Sequence, residues 1–133
     1  MADSKIPAEL RYTVEHEWLL KVDESTVRLG ITDYAQDQLG SVVFVQLPGA
    51  GDSVASGDSF AEVESTKSVS DIYSPLDGEV VAVNDALEGS PELVNSDPYG
   101  AGWLAELRVA DGTADDLLAG LLDEAGYREQ IGE

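Results

Sequence analysis

Across most of the chain, apolar and polar residues alternate over short stretches separated by clusters of Gly, Pro, Asp and Ser. A period of two sends successive side chains to opposite faces of an extended backbone, so these stretches read as half-buried strands and the clusters as turns. Strands are expected at residues 11–14, 17–22, 26–31, 41–47, 53–54, 58–64, 69–74, 78–84 and 103–109. Helical signals are few. Residues 32–39 carry Thr32 or Asp33 as an N-terminal cap and Gly40 as a left-handed stop, and Ser90-Pro91 opens a turn or two through Asn95. From about 113 to 125, Thr113-Ala114-Asp115-Asp116 resembles a capping box, and Leu117, Leu118, Leu121 and Leu122 give one apolar face, predicting a C-terminal helix packed on the sheet. The fold class is therefore mainly β, a flattened barrel or sandwich with a β core at about 26–109, short peripheral helices and a C-terminal helix.

A chain of 133 residues is long enough to bury a core without disulfide or metal staples, and one domain over residues 1–133 is expected. With no cysteine, structural disulfides, thiolate metal ligands and cysteine nucleophiles are absent, so any redox chemistry must come from an added group. The formal net charge of −20 repels phosphate backbones and anionic lipid and argues against nucleic-acid binding. The N-terminus, Met1-Ala2-Asp3-Ser4-Lys5-Ile6-Pro7, lacks a basic region followed by an apolar one. No apolar run approaches the ~20 residues needed to span a bilayer. A cytoplasmic monomer with no membrane association is the expectation.

Catalytic frameworks are missing: there is no GxxxxGK loop, no GxGxxG, no HExxH, no EF-hand spacing, and His16 has no second histidine to complete a metal site or triad. Among 27 acidic residues, neighbours such as Asp115-Asp116 follow from composition. The informative stretch is Val63-Glu64-Ser65-Thr66-Lys67-Ser68-Val69, where small polar residues put a lysine at the tip between two strands; lysine otherwise occurs only at Lys5 and Lys21. A turn lysine taken alone is an ordinary surface residue. An exposed amine on a rigid turn is also what a modifying ligase requires, and acylation there would carry an attached group at the end of a neutral arm on the order of 10 Å long.

Many ordered blocks make the chain similar to the glycine cleavage H-protein family. They are Leu10-Arg11-Tyr12 with His16-Glu17-Trp18, Gly30-Ile31-Thr32-Asp33-Tyr34-Ala35-Gln36, Leu39-Gly40 with Val42-Val43-Phe44-Val45 and Leu47-Pro48, and Val63-Glu64-Ser65 with Lys67. Ser70-Asp71, Tyr73-Ser74-Pro75, Gly78-Glu79-Val80, Pro91-Glu92-Leu93-Val94-Asn95, Asp97-Pro98-Tyr99-Gly100 and Gly102-Trp103-Leu104 continue the match. The resemblance implies a lipoyl/biotinyl-type barrel sandwich and a carrier rather than an enzyme. Lys67 would bear lipoate as an amide on a turn built by Glu64, Ser65, Thr66 and Ser68. The arm would serve a pyridoxal-phosphate glycine decarboxylase, a tetrahydrofolate-dependent aminomethyltransferase and a flavin (FAD) dihydrolipoamide dehydrogenase, after loading by a lipoate ligase or lipoyl transferase. The lipoyl disulfide would accept the aminomethyl group with electrons, the group would pass to folate with release of ammonia, and the dithiol would be reoxidised.

The same resemblance implies that the loaded arm folds into a cleft where the carboxylates of Glu17 and Asp71 meet the aminomethyl cation. Three positions depart from the family's frequent residues: Thr66 for Val or Met, Ser68 for Ala, and Gln38 for His at a helix end. The neighbouring alternatives are a lipoyl or biotinyl domain of another complex, from which the flanking Thr66 and Ser68 distinguish it because biotin sites commonly place Met there, and a lipoate relay protein. A cofactor-free interaction module would tolerate Lys67→Arg.

Overall fold

The computed structural model describes residues 6–132. The alternating stretches form two antiparallel sheets among the described residues. The larger runs β1-β2-β3-β9-β8-β5, from β1 (Arg11–Tyr12), β2 (Glu17–Lys21), β3 (Thr26–Ile31), β5 (Ser53–Val54), β8 (Gly78–Val83) and β9 (Ala105–Val109). The smaller runs β4-β6-β7, from β4 (Val42–Gln46), β6 (Ser59–Ser65) and β7 (Val69–Tyr73). Strands β1 and β2, expected from residues 11–14 and 17–22, extend the larger sheet from β3 back to Arg11.

The inward residues of both sheets make one core. Val27 and Leu29 of β3, Val80 of β8 and Leu107 of β9 meet Val45, Val63 and Ile72 of the smaller sheet. Each such side chain contributes about 1.5–3 kcal/mol by leaving water. Strand β6 keeps the period of two, with Ala61, Val63 and Ser65 inward and Glu62 and Glu64 outward. Strand β4 breaks it: Val42 and Val45 are buried, but Val43 and Phe44 both face solvent, because the pairing with β6 shifts register between Val42 and Phe44. A bulge of this kind re-aims a side chain that strict alternation would turn inward.

Helix α1 (Asp33–Leu39) follows β3 as expected. Thr32 caps it by accepting the Ala35 amide at 3.2 Å, and Gly40, at φ 84°, ends it by donating to the Gln36 carbonyl at 3.0 Å. Two short helices, α2 (Ala86–Gly89) and α3 (Leu93–Ser96), follow β8; α3 answers the Ser90-Pro91 signal, and α2 was not expected.

The C-terminal helix expected over about 113–125 is two helices. Thr113 caps α4 (Ala114–Ala119) by accepting the Asp116 amide at 3.1 Å, and Gly120 ends it. Asp123 then caps α5 (Glu124–Ile131) by accepting the Gly126 amide at 2.8 Å. Between them Leu122 pairs with the edge strand, its amide donating to Tyr12 O at 2.9 Å and its carbonyl accepting the Tyr12 amide at 2.8 Å. The open edge of β1 thus recruits an extended residue where leucine spacing alone predicts helix.

Helix α5 covers a second apolar cluster of Ile6, Leu10, Tyr12, Trp18 and Tyr127, in which the Tyr12 and Tyr127 rings stack at 4.8 Å. Trp18 lies over Gly30, where a Cβ would stand 2.8 Å from the indole, and its Nε1 donates to Pro98 O at 2.9 Å. No helix among the described residues is long and apolar enough to cross a membrane.

Candidate functional site

Strands β6 and β7 form a hairpin whose tip carries Thr66, Lys67 and Ser68, all exposed. Ser65, 6% exposed, orders the tip. Its amide donates to Ser68 O at 2.8 Å, and its Oγ accepts the Lys67 and Ser68 amides at 3.2 and 3.1 Å. A small hydroxyl side chain here does the work of a backbone turn partner. Glu64 points outward from the end of β6, opposite Val69.

The hairpin is anchored from below. The Thr66 amide donates to Ser41 O at 3.0 Å, in the link between α1 and β4. Asn95 of α3 clamps that link, accepting the Val42 amide at 2.8 Å and donating through Nδ2 to Gly40 O at 2.9 Å and Gln36 Oε1 at 2.8 Å. The lysine stem runs beside Gly40, where a Cβ would stand at ordinary contact distance, 3.4 Å, from Lys67 Cε. In the sequence Asn95 falls in the block Pro91–Asn95 with nothing local to mark this role. Its contribution is legible only once residues 53 and more positions apart are seen to meet.

Beside the hairpin, between β7 and α1, runs a cleft of about 410 Å³. Ser68, Asp71 and Ile72 line one side, Tyr34, Ala35 and Gln38 the other, and Glu15 and His16 also border it. The exposed Asp71 carboxylate lies 3.4 Å from the donating Ser59 hydroxyl. His16 adopts φ 68° and sets Nδ1 at 2.9 Å from Tyr127 Oη, itself 2.7 Å from Thr32 Oγ1. Burial lowers the His16 pKa, against the pull of Glu15. The imidazole is thus bound into the fold through Tyr127 and forms part of the cleft wall.

Glu17 borders a second cleft, of about 440 Å³, with Thr13, Tyr73 and Leu121. Its side chain is 2% exposed. Thr13 Oγ1 donates to Oε1 at 3.4 Å, and Oε2 has no hydrogen-bond partner among the described residues. Burial pushes the carboxyl pKa up to about 8, although the Thr13 hydroxyl and the Tyr73 backbone amide pull the other way. The structure thus gathers Lys67, Glu64, Ser65, Thr66 and Ser68 at one turn and places Asp71 in the adjoining cleft. Glu17 lies in the next cleft, with Glu15 bordering both. Among the described residues no group of three or more His, Asp or Glu is placed to hold a metal ion.

Two small facing sheets that lift one lysine on an ordered hairpin, with a cleft alongside, define the class of hairpin-lysine carrier domains. Residues 10–133 match the family model described as Glycine cleavage H-protein. The chain is 67% identical over 130 residues to the glycine cleavage system H protein of Mycolicibacterium smegmatis, covering 98% of this chain and 99% of that one. To the glycine cleavage system H protein of Mycobacterium leprae it is 60% identical over 126 residues, covering 94% and 96%. Its fold matches the crystal structure of a glycine cleavage system H protein from Mycobacterium marinum with a TM-score of 0.84 at 41% identity, over 96% of this chain and all of the other. The chain belongs to the glycine cleavage H-protein family, and its architecture is the lipoyl-type barrel sandwich.

Proposed function

We propose that this protein is a non-catalytic lipoyl carrier that bears lipoate as an amide on Lys67. It would serve a pyridoxal-phosphate glycine decarboxylase, a tetrahydrofolate-dependent aminomethyltransferase and a flavin dihydrolipoamide dehydrogenase. The observation that carries the reading is Lys67 itself, exposed at the tip of a hairpin that Ser65 orders from within, in a chain that matches the family from residue 10 onward. The residues fit an amide-linked arm: the lysine is in solvent and the turn is held to the α1–β4 link. When bound, lipoate supplies a ring disulfide that accepts an aminomethyl group together with electrons.

The chain's own residues would receive and shelter that cargo. Asp71 borders the cleft beside the hairpin, and Glu17, its Oε2 buried without a hydrogen-bond partner among the described residues, lies in the wall of the next one. A cation arriving beside Glu17 favours the ionised carboxyl, drawing its pKa down from about 8 and releasing its proton. Tyr73 and Leu121, which border the same cleft, limit the access of water to a bound amine. The test is glycine decarboxylase-catalysed exchange of carbon dioxide into the carboxyl of glycine, with the lipoylated protein as carrier. Exchange with the wild type and none with Lys67→Arg is expected; a fully lipoylated wild type that supports no exchange would overturn the proposal.

A further inference from the structure

Among the described residues the large apolar side chains left in solvent are Val14, Leu20, Val22, Val43, Phe44 and Val69. The last three fall on one surface. Phe44 of β4 is paired with Glu64 of β6, which is paired with Val69 of β7, so they form a row across the outer face of the smaller sheet, two residues from Lys67. Phe44 is 53% exposed and Val69 56%. The bulge in β4 adds Val43, 49% exposed, which alternation would have turned inward. Glu62, Glu64 and Asp71, all exposed, stand on the same sheet, with Glu62 opposite Asp71. The surface is thus a mixed one, in which Phe44 and Val69 flank the Glu64 carboxylate and the row ends beside the lysine turn.

We propose that this surface is the docking surface for the enzyme that acylates Lys67, and that it fits an enzyme face with a Lys or Arg set between apolar contacts. The inference rests on the carrier reading and goes beyond it by naming the recognition surface. Reach selects the occupant. In the transfer, the Lys67 amine loses a proton and forms an amide bond to the acyl carbon of lipoate activated as its adenylate by ATP, while the acyl carbon–oxygen bond breaks and AMP leaves. No electrons change hands. An unmodified lysine extends only about 6 Å from its Cα, so the acylating enzyme must lie against the residues flanking the turn. A loaded arm reaches further and makes no such demand of later partners. With strands spaced about 4.8 Å apart, Phe44 stands roughly 10 Å from Val69, inside the footprint of any protein seated that closely. The acidic residues call for that basic group, since Glu64, seated between the apolar contacts, would otherwise be covered without a counter-charge.

Steady-state lipoylation of the full chain by a purified lipoate ligase, with ATP and lipoate, tests this. Phe44→Ser combined with Val69→Ser should raise the KM for the carrier about tenfold with kcat little changed. Glu62→Lys should raise KM and weaken its dependence on salt, while Val22→Ser, just past the end of β2, should alter neither constant. Circular dichroism and thermal melts establish that each variant is folded. An unchanged KM in the folded double variant would overturn the docking surface. So would a wild type that self-associates in sedimentation while the double variant is monomeric, since a second copy would then be the occupant. A wild type that is never acylated would instead overturn the carrier reading.

Discussion

What distinguishes Lys67 from a solvated surface lysine is its surroundings, above all the Ser65 hydroxyl that binds the amides of both Lys67 and Ser68. Ser65→Ala removes the acceptor for both amides and should cost about 1–2 kcal/mol in urea denaturation. It should also slow lipoylation without abolishing it. Glu17 supplies a second prediction. Its folded-state pKa, about 8, lies above the ordinary 4.5, so the folded chain holds this proton more tightly than the unfolded chain. The contribution to stability is then full below pH 4.5, falls as pH rises towards 8, and stays low above it. Relative to wild type, Glu17→Gln should gain stability progressively across that window, by on the order of a few kcal/mol. Urea melts over the pH range check this; a difference that does not vary with pH would mean that the carboxyl titrates normally. The sequence marks Glu17 and Asp71 as acidic residues in family blocks. It does not reveal that one is sealed at 2% exposure and the other open, because burial depends on Thr13, Tyr73 and the C-terminal segment closing over β2.

At the scale of elements, the lysine hairpin depends on a helix remote in sequence. Asn95 of α3 satisfies the Val42 amide and the Gly40 carbonyl, and the intervening Ser41 carbonyl accepts the Thr66 amide. Asn95→Ala strands those backbone groups and should lower stability by about 1–3 kcal/mol. It should also speed hydrogen exchange at Thr66 relative to core amides of β3; unchanged exchange at Thr66 would show that the hairpin stands without this support. Strands β3 and β5 fall at the residues their alternation indicates, and Thr32 and Gly40 bound α1 as their chemistry requires. The misses share one cause. The bulge exposing Val43, the break between α4 and α5 and the turn of α2 are set by partners remote in sequence: β6 for Val43, Tyr12 for Leu122, and, just before α2, the Ala101 and Trp103 carbonyls that accept from Asn84 Nδ2 at 2.7 and 2.8 Å. Local periodicity carries no information about such partners.

As a whole, the molecule carries a formal charge of −20 over 133 residues, so repulsion between carboxylates opposes compaction at neutral pH. Raising the ionic strength from 0.1 to 1 M shortens the screening length from about 10 to about 3 Å and should raise the melting temperature by several degrees; a fall would show that the few surface ion pairs outweigh the repulsion. The same acidity suits a carrier that visits partners and leaves them, because long-range attraction speeds encounter without adding buried contacts. All of this turns on one covalent bond. Intact-mass analysis with peptide mapping, after coexpression with a lipoate ligase and a supply of lipoate, reads it directly. A single lipoyl amide on Lys67, absent from Lys67→Arg, is the expected result. No adduct on the folded chain with a ligase active on other carriers, or an adduct on Lys21 instead, would contradict the assignment of Lys67 as the swinging arm.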